Sequence, residues 1–93
     1  MTEPVVRPAP DVAYVVDDTQ EAVRVYLARV PQGPPLVLDG PAAVIWEELV
    51  EGGTRAEIAA RVAQSVDAAP DRVAADVAAF LVQLTDQGLV VSG

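Results

Sequence analysis

The chain has 93 residues, 52% of them hydrophobic, with 14 acidic against 6 basic side chains, a net charge of −8 and a pI near 4.1. That length fits one domain able to bury roughly 60–70% of its unfolded surface, enough for a core of its own. Cys, His and Lys are all missing, which excludes disulfides, thiolate zinc sites, imidazole acid–base chemistry, Schiff bases and a Gly-Lys-Ser/Thr phosphate loop, while the charge opposes a phosphate backbone.

Residues 1–10, MTEPVVRPAP, begin acidic and carry three prolines. Each proline withholds a backbone donor and biases its predecessor toward extended geometry, so this segment reads as a loose arm, with the folded unit, residues 11–93, starting near Asp11. The segment lacks the apolar centre of a signal peptide, and no run reaches the 18 apolar residues of a membrane span. A soluble cytoplasmic protein is expected.

Val12–Val16, rich in β-branched and aromatic residues, reads as a strand, and the acidic DDTQE after it as a turn. Asp17 and Asp18 belong to that turn rather than to a metal site, because no matching carboxylate cluster accompanies them. Ala22–Val30 alternates, with Val23, Val25 and Leu27 on one face and Arg24, Tyr26 and Ala28 on the other, the pattern of a half-buried antiparallel strand. PQGPP interrupts, and Leu36–Asp39 (LVLD) resumes as a short third strand at an edge, with Leu36 and Leu38 on one face and Val37 on the other.

A helix follows over about Pro41–Val50, with Asp39 or Gly40 near its N-cap and Pro41 in its first turn. Gly52 and Gly53 end it. Glu47, Glu48 and Glu51 read as its solvated side, and Trp46 as core beneath the sheet. Thr54 and Glu57 form a T-x-x-E capping box opening a second helix, whose apolar stripe is Ile58, Val62 and Val66. A third helix starts near Pro70 or Asp71; Val73, Val77, Phe80, Leu81 and Leu84 lie within a roughly 100° arc, and Gly88 stops it. The fold class is therefore α+β, winged helix-turn-helix-like: a three-stranded antiparallel sheet followed by three helices. The final apolar run, Leu89–Val91, adds a short strand or packs on the sheet.

Three pieces of this order, LVLDGPAAVIWEEL, GGTRAEIAARV and DVAAFLVQLTDQGLV, together resemble the PqqD-like family across Leu36–Val90. The resemblance implies a RiPP recognition element: a module that binds the leader segment of a ribosomally made, post-translationally modified precursor peptide and delivers it to modifying enzymes. It implies a leader added as a further strand on the third strand, in the groove beside the third helix. Two versions fit. A chain this short and acidic, complete without a fused enzyme, is closer to the stand-alone leader-binding half of a lasso-peptide system, with a separate leader protease and a cyclase. The other version is the pyrroloquinoline-quinone chaperone working with a radical enzyme. Where the family commonly has Leu-Asn, this chain has Leu38-Asp39, which keeps a capping acceptor but adds a charge.

The candidate peptide-binding residues are Leu36, Val37, Leu38 and Asp39 on the strand and Val73, Asp76, Val77, Phe80 and Leu84 on the third helix, with Gln83 beside them. An edge strand offers unpaired backbone groups to a guest, and apolar neighbours offer pockets. The same helical stripe is also what ordinary packing requires. Asp76 differs, being a carboxylate beside an apolar ridge, placed either in solvent or against a basic group or amide of a ligand. No catalytic residue, cofactor or metal is expected. A DNA-binding winged helix is disfavoured because Asp71, Asp76 and Asp86 outweigh Arg72 on the third helix. An enzyme would have to work with carboxylates alone, and a structural adaptor without a peptide ligand stays open.

Overall fold

The computed structural model describes residues 4–17, 23–31, 33–66 and 68–92. In chain order the elements are β1 (Val6–Pro8), β2 (Val12–Asp17), β3 (Arg24–Arg29), β4 (Leu36–Asp39), α1 (Pro41–Glu51), α2 (Arg55–Ser65), α3 (Pro70–Asp86) and β5 (Val90–Ser92). The expected acidic turn, beyond Asp17, falls outside the described residues.

β2, β3 and β4 form the three-stranded antiparallel sheet, with β3 central and β2 and β4 at its two edges. The register sets Tyr14 opposite Leu27, and Leu27 opposite Leu36, while Val16 faces Val25 and Val25 faces Leu38. Because directly paired residues share a face, these six side chains all point to one side. Val25, Leu27 and Leu38 are buried there, as the alternation in β3 requires. Tyr14 reaches down to the helices and meets Trp46 edge-on, ring centroids 5.5 Å apart.

The three helices cover that inner face. Ala43, Ile45, Trp46 and Leu49 of α1, Ile58, Ala59 and Val62 of α2, and Val73, Val77, Leu81 and Leu84 of α3 form one core with the inner residues of the sheet. Their spacing of three and four residues keeps each stripe on one side of its helix. α2 opens as the sequence predicts: Thr54 Oγ1 accepts the Glu57 N–H at 3.2 Å and Glu57 Oε1 accepts the Thr54 N–H at 2.9 Å. Arg61 ties α1 to α2, donating to the Glu48 carboxylate at 2.9 Å and to the carbonyls of Glu48 and Gly52 at 2.8 and 2.6 Å. The carbonyls at the end of a helix lack intrahelical partners, and this guanidinium satisfies them. Glu48 is thus engaged rather than simply solvated, whereas Glu47 and Glu51 are exposed.

One feature differs from the sequence expectation, and one narrows it. Residues 6–8 are not a loose arm: β1 pairs antiparallel with β5, Val6 against Ser92 and Pro8 against Val90. The Val6 N–H donates to the Gly53 carbonyl at 2.9 Å, the Ala9 N–H to the Leu89 carbonyl at 3.0 Å, and Val6 and Ala9 are buried. The prolines are tolerated because a two-stranded ribbon leaves each strand an unpaired side. Apolar burial at Val6 outweighs the local preference for an unpaired chain. Second, of the two N-cap candidates for α1, Asp39 and Gly40, Asp39 does not take the position. The N-cap is Gly40, with no side-chain cap bond, at φ 57° and ψ −136°, a backbone conformation almost confined to glycine. Asp39 ends β4 and is exposed.

Candidate functional site

β4 is paired on one side only, by β3. Along its four residues the other side presents backbone N–H and C=O groups that no strand among the described residues uses. Side chains alternate across it. Leu36 and Leu38 face inward, where Leu38 is 5% exposed and Leu36 half-buried; Val37 faces outward and is 50% exposed.

An open cleft lies near each end of this strand, and residues of α3 or just after it line both. At the start of β4, a cleft of about 310 Å³ is lined by Leu36, Gly33, Pro34, Pro35 and Arg29 with Gln87 and Leu89, which follow α3. At its end, a cleft of about 140 Å³ lies between Pro41 and Ile45 of α1, Val62 and Val66, Ala68, and Val73, Asp76 and Val77 of α3. Leu36 to Pro41 spans about 16 Å of extended chain, and Val73 to Gln87 about 21 Å of helix. An extended guest of five or six residues therefore matches the distance between the clefts.

The candidate residues divide by burial. Leu38, Val73, Val77 and Leu84 are core side chains, at 5, 5, 1 and 1% exposure. Val73 and Val77 also show an edge to the smaller cleft. Phe80 is half-buried against the core, and Asp39, Asp76 and Gln83 are exposed. The cleft walls supplied by Pro41, Ile45, Val62, Val66 and Ala68 at one end, and by Arg29, Pro34, Pro35, Gln87 and Leu89 at the other, were not singled out by sequence. Val62 and Val66 carried a signal as neighbours on the α2 stripe, but a stripe alone does not tell a cleft wall from sealed core.

The site is acidic at one end. Asp39 ends the strand and Asp76 stands on the lip of the smaller cleft; neither forms an ion pair with the described residues. At the other end Arg29 donates to the Asp11 carboxylate through Nε at 3.1 Å and pairs with it through Nη2 at 3.0 Å. No group of three or more carboxylates suited to a metal ion occurs among the described residues, and no helix of the described residues is long and apolar enough to cross a membrane.

An α+β domain with an open edge strand beside a helix and a cleft at each end of the pair defines a class of extended-peptide binders. The family comparison agrees: residues 21–90 match the model for coenzyme PQQ synthesis protein D (PqqD). The chain belongs to the PqqD family and is a PqqD-like RiPP recognition element. Neither the curated proteins nor the solved structures compared with it gave a match. Proteins of this family are non-catalytic accessory binders that hold precursor peptides and work with the enzymes that modify them. The chain is accordingly a peptide-binding partner protein of RiPP biosynthesis.

Proposed function

We propose that the protein binds the leader segment of a precursor peptide as a fourth strand on the free edge of β4 and delivers it to separate modifying enzymes without doing chemistry itself. The observation that carries this reading is the pairing of that edge with two clefts, one at each end, a match for a peptide's backbone and for its side chains together. In magnitude the edge alone falls short. The two outward-facing residues of β4 offer about four hydrogen bonds, worth about 0.5–1.5 kcal/mol each, against the roughly 8 kcal/mol of a micromolar complex. Side chains seated in the clefts and against Leu36 and Phe80 must contribute the rest.

The enzymes assigned to it are a leader protease and a cyclase of the lasso-peptide type, acting in the cytoplasm. With no Cys, His or Lys in the chain, covalent steps on the precursor fall to such partners. The peptide-contacting set is Leu36, Val37, Asp39, Asp76 and Phe80 at the surface, with Leu38, Val73, Val77 and Leu84 shaping the site from beneath. The test is fluorescence anisotropy of the fluorescein-labelled leader of the precursor encoded beside this gene. Saturable binding at micromolar protein is expected, and no binding at tens of micromolar sinks the reading. Adding a neighbouring protease and cyclase should then yield a threaded product only when this protein is present. A neighbouring radical enzyme that needs it instead would move the assignment to quinone-cofactor synthesis.

A further inference from the structure

The smaller cleft is apolar on its walls and acidic at its mouth. Pro41, Ile45, Val62, Val66, Val73 and Val77 supply the walls, and among the described residues the one ionisable side chain lining it is the exposed Asp76. Its volume, about 140 Å³, compares with the cavity of about 150 Å³ that holds benzene in an apolar interior. A side chain of four or five heavy atoms fits it. The charge at the mouth then decides which kind. A purely apolar occupant would strip water from the Asp76 carboxylate and return nothing. A side chain with an aliphatic stem and a cationic head buries the stem and leaves the head beside the carboxylate.

The surroundings favour the same sign. Asp39 lies two residues before Pro41, Asp71 is on the first turn of α3, and the whole chain carries −8. The nearest basic residue in sequence, Arg72, sits one turn before Asp76 and makes no ion pair with it.

We propose that this cleft takes a lysine or arginine of the guest segment, the stem against Pro41, Ile45, Val73 and Val77 and the head on Asp76. The proposal rests on the reading that a peptide adds to β4, since that edge is what brings a guest chain to the cleft mouth beside Gly40. It makes the site a reader of one basic residue just beyond the strand-paired segment.

The experiment is selection from a display library of random 12-residue peptides on the full chain, with amide shifts of Leu36–Asp39 in 15N-labelled protein showing that a selected peptide occupies β4. Lys or Arg should be enriched at one fixed position. Asp76→Lys should weaken the selected peptide tenfold or more, and changing the peptide's basic residue to Glu should restore binding to that variant. Asp71→Asn, off the cleft, should stay within twofold. Asp76 is exposed, so its variants keep the fold, checked by circular dichroism. Peptides that shift the β4 amides but carry an apolar or aromatic residue there, indifferent to Asp76→Lys, would overturn the proposal and leave the leader-binding reading standing. Peptides that bind without moving the β4 amides, or no binders at all, would overturn both.

Discussion

Among the described residues the central sheet has two open edges, and only β4 has a cleft near each end. β2 is the longer, with six residues to the four of β4, and on hydrogen bonds alone would be the better template. Yet Ala13 to Val16 are all exposed, and the shallow hollow over this edge is lined by sheet residues with Pro35. A guest there would gain backbone bonds and little else. β4 is short, but Leu38 anchors it in the core and a cleft opens near each end. Backbone pairing is common to any strand edge; selectivity comes from the walls beside it.

The largest effect separates the two strands by burial. Leu38→Asp puts a charge where 5% of the side chain is exposed, with no partner, and should lower stability by about 3 kcal/mol or more. Val15→Asp, at a position 66% exposed on β2, should change it by less than about 0.5 kcal/mol. Urea denaturation of both variants checks this. A stable Leu38→Asp protein would mean that β4 is not anchored as described.

Binding gives the next contrast. Phe80 is half-buried against the core and is one of the proposed peptide contacts, so Phe80→Ala removes proposed contact surface while the four-residue stripe of α3 stays intact. Leader affinity should fall at least tenfold, about 1.4 kcal/mol, whereas Val15→Ala on β2 should leave it within twofold. If the two variants behaved in reverse, β2 would be the edge that takes the peptide.

Much of this was legible in the sequence, for reasons that differ by element. The alternation of Val23, Val25 and Leu27 and the stripe of Val73, Val77, Leu81 and Leu84 are periodic, so the faces they bury follow from geometry alone. The T-x-x-E box is local, and Thr54 and Glu57 bond as their spacing requires. β1 was illegible because its partner β5 lies more than 80 residues away, and no local signal at Val6 foretells that pairing. At the cap of α1 the sequence left Asp39 and Gly40 open, and the structure takes Gly40. Asp39 has the right chemistry, but it is held in register opposite Arg24 as the last residue of a strand, leaving Gly40 to turn the chain. In the site, sequence named the strand and the helix but could not tell Phe80, which is accessible, from Leu84, which is sealed, since both sit on one stripe. The cleft walls depend on how three helices meet, which no single stretch encodes.

The capping box separates stability from binding. Thr54→Ala removes the acceptor for the Glu57 N–H and should cost about 1 kcal/mol, read as a lower urea midpoint. Because Thr54 lies at the start of α2, outside both clefts, leader affinity should be unchanged. A parallel loss of affinity would show that weakening the fold anywhere weakens the site, and would remove the force of the Phe80 result.

The smallest effect is a pH dependence at the same box. The Glu57 carboxyl is held below its ordinary value of 4.5, first by the Thr54 backbone N–H, then by the Thr54 side chain, with Arg61 assisting against slight desolvation. A carboxyl whose folded value is depressed binds its proton more readily when unfolded. Its contribution is therefore complete above 4.5 and is lost as pH falls through the lower folded value. Glu57→Gln keeps an acceptor for the Thr54 N–H but does not titrate. The wild type should be the more stable of the two at pH 7, and the gap in melting temperature should narrow as pH falls below 4.5. A gap that stayed constant across that range would mean that the charge on Glu57 adds nothing to its hydrogen bond.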